Sequence, residues 1–248
     1  MKVGPHPRVS QFMKGVFNIR PTQRLLVPSW DLLHVLEVLQ NPPFAPFRDL
    51  NIKNLTLKTA FLVAITSARR VSEIQALGRI PPFIRFEAHN VVINTVPGFL
   101  SKTANPANLG SDIVLPCFCE HSQELCVRCM VEHYVEVSGA QGCTSDRLFV
   151  SFSDACRGQP VTSRTIAGWL VRIIKLAYEI SDLPPPEVKA HSTRGAATSW
   201  GLFQKASLDC IISAADWRSS NTFIKHYRLH VWKKDKAQFG LSVLNSST

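Results

Sequence analysis

The apolar positions along most of the chain recur at helical spacing. Ser29 is a suitable N-cap for a first helix, and the Asn-Pro-Pro sequence at 41–43 ends that segment. The apolar face of this helix comprises Leu32, Leu33, Leu36 and Leu39. The same spacing predicts further helices over residues 55–65, 70–77, 126–137, 162–177, 192–204, 207–215 and 219–228. Gly78 is placed to end the second of these as its C′ residue.

Residues 83–116 have a different pattern. Three short segments, at 83–86, 91–95 and 112–115, are rich in β-branched and aromatic residues. Gly98 and the stretch 105–110 separate them. They predict a small antiparallel sheet inside an otherwise helical chain. The predicted fold class is therefore mainly α with a small antiparallel β-sheet (α+β).

The two ends of the chain are patterned more weakly. Residues 1–28 carry five Lys or Arg, four prolines and no acidic residue, and they show little periodicity. We predict a basic, extended arm or interdomain linker there, and a disordered chain end is the alternative. Residues 29–230 are predicted to form one domain, followed by a C-terminal tail at 231–248.

Composition limits the classes of partner. The 28 Lys and Arg against 18 Asp and Glu give a formal net charge of +10, which suits a polyanion such as nucleic acid or an anionic membrane surface. No apolar run approaches the ~18 residues of a membrane span, and no secretory signal is recognisable. Seven cysteines without such a signal indicate reduced thiols in a cytosolic or nuclear compartment.

His191 and Arg194 are candidates for anion binding. At i and i+3 they share one face of a predicted helix, near its N-terminus. Free backbone N–H groups and the helix dipole favour an anion there, and an Arg fork beside an imidazole could hold a phosphodiester. The alternative is an Arg bonded to a carbonyl and a His that faces solvent.

Arg70 and Tyr227 are further candidates. Arg70 begins a predicted helix, where a cation opposes the dipole; its alternative role is an i,i+3 ion pair with Glu73. Tyr227 has basic neighbours on both sides, which favour a phenolate and attract a phosphate; its alternative role is a surface anchor for the last helix. Tyr134 and Tyr178 fall inside amphipathic helices and are predicted to lie in or near the core.

Taken in order, these residues resemble the signature of the tyrosine recombinase (phage integrase) family over roughly residues 26–230. Arg70-Val71-Ser72-Glu73 is similar to the first arginine motif of that family, and His191-Ser192-Thr193-Arg194-Gly195 is similar to its His-x-x-Arg box. Trp217 lies where the family has His or Trp, and Tyr227 lies where it has its nucleophile. Lys102, between the second and third predicted strands, corresponds to its β-hairpin lysine.

A narrower resemblance concerns the segments 191–200 and 214–228, which look typical of recombinases from DIRS-like and Ngaro-like retrotransposons. One departure is that Trp217 and Tyr227 are ten positions apart, one more than the commonest family spacing. A longer loop before the last helix would account for it, as would Arg218 taking over part of the tryptophan's role.

The resemblance implies that residues 29–230 are a tyrosine recombinase catalytic domain. Tyr227 would attack a scissile phosphate and form a 3′-phosphotyrosyl bond with release of a 5′-hydroxyl. By the same resemblance, Arg70 and Arg194 would contact the non-bridging oxygens, and His191 would accept the phenol proton. Lys102 would protonate the leaving 5′-oxygen, and Trp217 would donate its N–H to the phosphate. Double-stranded DNA, a tetramer on that DNA and nuclear location are implied. No metal, cofactor, small-molecule substrate or membrane is expected.

Two other functions remain open. The DNA-clamping domain that usually precedes this catalytic domain is expected to be absent or reduced to the basic arm, so a catalytically inactive, DNA-binding relic of a retroelement recombinase is one alternative. The other is a zinc-stabilised interaction protein, based on Cys117-Phe118-Cys119 and Cys126-Val127-Arg128-Cys129 with His121 and His133 nearby. A Cys-x-x-Cys inside a helix lacks the usual turn of a zinc knuckle, so thiols without a metal are the expectation.

Overall fold

The computed structural model describes residues 6–20, 28–101, 112–227 and 229, and within them the chain forms nine α-helices and one three-stranded sheet. The helices are α1 Pro7–Ile19, α2 Leu32–Val38, α3 Ile52–Ser67, α4 Val71–Gln75, α5 Val127–Ala140, α6 Ser163–Ile180, α7 Ser192–Phe203, α8 Leu208–Ala214 and α9 Ser220–His226. The strands are β1 Ile84–Phe86, β2 Asn90–Ile93 and β3 Ile113–Pro116. The predicted fold class, mainly α with a small antiparallel sheet, is confirmed.

The sheet has the order β1-β2-β3, with both pairs antiparallel. Val91 of β2 stands opposite Leu115 of β3, and both side chains are buried. Val114, between two buried neighbours of β3, is exposed, so the strand has the alternation of a sheet with one face on the core. None of the helices in the described ranges has the length and apolar character that crossing a membrane requires.

Helix α3 lies at the centre of the core. Its residues from Leu55 to Ala64 are buried on every face, which is the pattern of a helix surrounded by other elements. It contacts α5, α6 and α7. Lys58 is fully buried within it, and its ammonium donates to the Phe44 carbonyl at 2.7 Å and to the Glu124 carboxylate at 2.9 Å. This central helix leads directly to the predicted arginine motif.

Two helix ends differ from the sequence prediction. Helix α2 is capped by Asp31, whose carboxylate accepts from the Leu33 N–H at 2.8 Å, and not by Ser29. Helix α4 ends at Gln75, and Gly78 is not its C′ residue but forms a β-bridge with Arg147. A Cβ on Gly78 would lie 2.4 Å from the Cβ of Phe83, so glycine is needed there for close packing.

The N-terminal segment is helical over Pro7–Ile19, so the extended conformation predicted for it is wrong there. His6 caps this helix by accepting from the Arg8 N–H, and Pro7 suits its first position. No residue of α1 is buried, and Phe12 and Phe17 are among its exposed apolar side chains. Its role as an arm or linker stays a prediction. The predicted tail at 231–248 lies outside the described residues.

Candidate active site

The first arginine motif lies at the turn between α3 and α4. Ala68 ends α3 in the left-handed conformation, with φ 51°, and directs the chain into Arg69 and Arg70. Arg70 is the N-cap residue of α4, and Glu73 accepts from its backbone N–H at 3.3 Å and from its guanidinium Nη1 at 2.6 Å. The ion pair considered as an alternative role is therefore present. It fixes the Arg70 side chain, which stays half-buried.

Arg69 has a structural role that sequence analysis missed. It is 7% exposed, and its Nη1 lies 3.9 Å from a Glu73 carboxylate oxygen and 3.7 Å from one of Asp216. Asp216 directly precedes Trp217, so this pairing ties the start of α4 to the segment that carries the predicted tryptophan. The adjacent arginines at 69 and 70 were the only sequence signal, because the partner carboxylate is far away along the chain.

The His-x-x-Arg motif lies at the start of α7, as predicted. His191 is the N-cap residue and Arg194 lies one turn later. Trp30 anchors this turn from the other end of the chain, since its indole N–H donates to the Ser192 hydroxyl at 2.8 Å. His191 is exposed, whereas Arg194 is only 2% exposed.

The buried guanidinium of Arg194 is only partly bonded. Its Nη2 donates to the Ala215 carbonyl, and its Cζ lies 4.6 Å from the centre of the Trp217 ring. Its Nε and Nη1, and the buried indole N–H of Trp217, have no hydrogen-bond partner among the described residues. Burial, and after it the positive charge of Arg70, lower the pKa of Arg194 to about 10. Three buried donors thus lack a partner, and buried donors left without a partner are costly.

Tyr227 lies against this group at the end of α9. Its ring centroid is 4.7 Å from that of Trp217 and 5.2 Å from that of His191, and the Arg194 Cζ is 5.3 Å away. Its carbonyl accepts from the Ser199 hydroxyl of α7 at 3.0 Å. The ten-residue spacing from Trp217 therefore does not separate the two aromatic rings. Arg218, which could have taken over part of the role of Trp217, has an exposed side chain.

The electrostatics of His191 follow from its neighbours. Partial desolvation of the ring lowers its pKa below the usual 6.5, and the cationic Arg194 and Arg70 lower it further. The imidazole is therefore neutral at pH 7 and can accept a proton. The charge of Arg70 acts on both His191 and Arg194, so the start of α4 lies near the start of α7.

Four of the six sequence-predicted site residues are in contact, namely His191, Arg194, Trp217 and Tyr227. A fifth, Arg70, lies near enough for its charge to act on His191 and Arg194. The sixth, Lys102, lies outside the described residues. Two carboxylates border the site: Glu73 pairs with Arg70 at 2.6 Å, and Asp216 lies 3.7 Å from Arg69. In the described ranges, one group of side chains could share a metal ion, and its four cysteines lie in the β3–α5 connection and the first turn of α5, not in this site.

No protein-family model matches the chain, and no curated protein matches it by sequence. Solved structures match it by fold. One of them is the XerH site-specific recombinase, solved as a post-cleavage complex with the palindromic difH substrate. The two chains align with a TM-score of 0.57 and 13% sequence identity, over 90% of this chain and 54% of the XerH chain. The XerA recombinase matches with a TM-score of 0.55 and 16% sequence identity, over 96% of this chain and 73% of the XerA chain.

The integrase of transposon Tn1549, in complex with transposon right-end DNA, matches with a TM-score of 0.58 and 12% identity, over 91% of this chain and 68% of that one. These proteins are tyrosine recombinases and integrases, so the chain has the fold of a tyrosine recombinase catalytic domain. It spans about half the length of the XerH chain.

Proposed function

We propose that this chain cleaves and rejoins DNA strands through a 3′-phosphotyrosyl intermediate, with Tyr227 as nucleophile, and so catalyses site-specific recombination or integration. The observation that carries the proposal is the buried guanidinium of Arg194, whose Nε and Nη1 lack partners beside the tyrosine ring. An anion with several acceptor oxygens would satisfy these donors, and a phosphodiester is such an anion.

The chemical step is an in-line displacement at phosphorus. The Tyr227 oxygen forms a bond to phosphorus, and the bond between phosphorus and the 5′-oxygen breaks. Neutral His191 accepts the phenol proton, which a free tyrosine of pKa about 10 would not release readily at neutral pH. The departing oxygen takes a proton from a general acid, and Lys102 is the residue the family resemblance assigns to it. Attack of a 5′-hydroxyl on the phosphotyrosine reverses the reaction and joins strands.

Charge gathers on the non-bridging oxygens in the transition state. Arg194 contacts them through Nε and Nη1, the Trp217 indole N–H supplies a further donor, and Arg70 approaches from α4. The donors are buried, so the phosphate reaches them only after the side chains packed around them open locally. Once in contact, donors that are already held by packing need little further reorganisation in the transition state. The pair with Glu73 holds Arg70 in place and leaves part of its guanidinium accessible.

Duplex DNA is the proposed partner. The net charge of +10 suits it, and the XerH and Tn1549 structures of the same fold are DNA complexes. Exchange of strands between two duplexes requires four tyrosines, so we propose a tetramer on DNA. The segments 191–200 and 214–228 support a source among DIRS-like and Ngaro-like retrotransposon recombinases, which implies action in the nucleus.

The test is formation of a covalent protein–DNA adduct. The purified chain is incubated with a library of nicked duplexes of randomised sequence, in which the nick lets the 5′-hydroxyl strand diffuse away, and adducts are separated on a denaturing gel. We expect an adduct with the unchanged chain, none with Tyr227→Phe, and a normal amount with Tyr178→Phe. The control removes a phenol that accepts a hydrogen bond from the Asp31 N–H, away from the proposed nucleophile.

An adduct that persists in Tyr227→Phe would overturn the assignment of the nucleophile. Salt-sensitive binding of the library without any adduct would instead support the catalytically inactive, DNA-binding relic. Relaxation of supercoiled plasmid by the unchanged chain, but not by Tyr227→Phe, would be independent evidence of strand cleavage.

A further inference from the structure

Four cysteines flank the connection between β3 and α5. Cys117 directly follows β3, and Cys119 lies two residues later. Cys126 is the N-cap residue of α5, and Cys129 lies in its first turn. All four Sγ atoms lie within 4.8 Å of one another. The chain therefore brings two short cysteine pairs together at one point.

The sulfur spacing fits one tetrahedral ion. Zinc–sulfur bonds of about 2.3 Å place the sulfurs of a tetrahedral site about 3.8 Å apart. The Sγ atoms of Cys117 and Cys126 are 3.7 Å apart, and those of Cys119 and Cys129 are 3.2 Å apart. A disulfide requires about 2.05 Å. A multi-iron cluster would itself occupy the centre and hold the four sulfurs farther apart than one ion does.

We propose that Cys117, Cys119, Cys126 and Cys129 bind one Zn²⁺ in a closed structural site. Four thiolates complete the tetrahedral shell and leave no position for substrate, which is typical of structural zinc and not of catalytic zinc. The expectation of thiols without a metal rested on placing Cys126-x-x-Cys129 inside a helix. That premise is wrong, because α5 begins at Val127 and Cys126 precedes it in an extended conformation.

Two groups with positive or partly positive charge border the cysteine cluster. The Phe118 N–H donates to the Cys126 sulfur at 3.2 Å, and the N-terminal end of α5, with its partial positive charge, lies at the same point. Arg128 places Nη1 4.0 Å from the Cys129 sulfur, while Glu132 accepts from the same nitrogen at 3.0 Å. Four thiolates around Zn²⁺ carry a net charge of −2, which these groups partly offset.

The ion would join the sheet to the helical core. Cys117 donates its N–H to the His89 carbonyl at 2.7 Å, which ties the site to the turn between β1 and β2. Arg128 donates through Nε to the Glu87 carbonyl of the same turn at 2.8 Å. Helix α5 packs on α3, which ends at the arginine motif. Because zinc binding is coupled to folding, its removal should loosen the sheet first.

The first measurement is metal content. The chain is produced in zinc-supplemented medium, purified without chelator and analysed by elemental analysis and by intact mass under native conditions. We expect one zinc per chain, and a loss of bound zinc in the double variant Cys119→Ser/Cys129→Ser. The matched control is Cys156→Ser, which replaces an exposed thiol outside the cluster and should keep its zinc.

A second measurement uses the unchanged chain, so it does not depend on whether the double variant folds. Thiol alkylation with and without a zinc chelator, read by mass spectrometry, should show the four cluster cysteines protected only while zinc is bound. Full alkylation without chelator, substoichiometric zinc, stoichiometric iron in place of zinc, or cysteines already joined as disulfides would each overturn the proposal. None of these outcomes bears on the Tyr227 adduct, so the two proposals fail separately.

Discussion

Arg194 combines two properties that conflict in an ordinary core residue. It is 2% exposed, yet two of its guanidinium nitrogens have no hydrogen-bond partner among the described residues. Burying a cation in this way costs free energy, and cation–π contact with Trp217 and the bond to the Ala215 carbonyl recover only part of it. Strain of this kind concentrates at functional sites, where a ligand completes the missing contacts.

Replacing Arg194 with Lys should therefore impair cleavage far more than folding. Lysine keeps a positive charge, but a single ammonium cannot reach both the Ala215 carbonyl and two phosphate oxygens. We expect the adduct yield to fall about 100-fold or more, with the thermal unfolding midpoint nearly unchanged. Adduct yield and circular dichroism measure the two effects. The control is Arg172→Lys on α6, an exposed arginine paired with Glu179, and a wild-type yield from Arg194→Lys would contradict the assigned role.

His191 should set the acid limit of the reaction. Its pKa is lowered below 6.5, so the imidazole is neutral above that lowered value and becomes protonated as the pH falls through it. Only the neutral form accepts a proton from Tyr227. We expect the rate at subsaturating DNA to fall on the acid side of pH 6.5, and His191→Gln to be slow but without this acid limb.

The control for this profile is His89→Gln, which changes an exposed histidine in the β1–β2 turn and should keep the acid limb. A limb that survives unchanged in His191→Gln would assign the titration to another group.

At the scale of elements, the contact between α7 and α9 positions the tyrosine. The Ser199 hydroxyl of α7 donates to the Tyr227 carbonyl at 3.0 Å and accepts from the Leu229 N–H at 2.8 Å. Phe223 of α9 is fully buried and stacks on Trp217 at 5.8 Å between ring centroids. One side-chain hydroxyl and one small apolar cluster thus hold the end of α9 against the helix that carries His191 and Arg194.

Ser199→Ala should weaken this positioning without removing a group that touches DNA. Two hydrogen bonds are lost, and we expect the free energy of unfolding to fall by about 1–2 kcal/mol and the adduct rate to fall more than this stability loss explains. Hydrogen exchange should become faster at the Tyr227 amide. Ser138→Ala is the matched control, because Ser138 is equally buried but bonds within α5, so only stability should change. Equal effects of both variants on the adduct rate would contradict a positioning role.

Sequence predicted the elements better than their ends. The periodicity placed eight of the nine described helices and the three strands, because α6, for example, has an apolar face that runs from Ile166 to Ala177. The predicted N-cap of α2 was wrong, because Asp31 and not Ser29 accepts from the first free N–H groups of the helix. The start of α5 was predicted one residue too early, so Cys126 was placed inside the helix although it precedes it. The helix over Pro7–Ile19 was missed because the four prolines of residues 1–28 suggested an extended segment, although only Pro7 lies within the helix, at its first position.

At the scale of the whole molecule, residues distant along the chain meet at one point. Arg70 comes from the end of the central helix, the His-x-x-Arg motif from α7, and Tyr227 from the last described helix. Residue types and their order predicted this set, but spacing could not predict that Arg69 pairs with Asp216 and so joins the first motif to Trp217. Long-range partners of this kind are visible only in the folded chain.

Binding to DNA should depend strongly on salt. The chain has a formal net charge of +10, and we propose that it contacts several phosphates. Each phosphate that the protein neutralises releases condensed counterions. With roughly 6–10 phosphate contacts, affinity for duplex DNA should fall by about 10³–10⁵ between about 50 and 200 mM salt. Fluorescence anisotropy with a labelled duplex measures this slope. An affinity that does not change with salt would contradict binding through the phosphate backbone.

The most direct test of the central claim is to identify the amino acid that carries the DNA. The trapped adduct is digested with nuclease and protease, and the peptide that retains a nucleotide is sequenced by tandem mass spectrometry. We expect a 3′-phosphonucleotide on the phenol oxygen of Tyr227 and on no other residue. A nucleotide linked to a serine, to Tyr134 or to Tyr178 would contradict it.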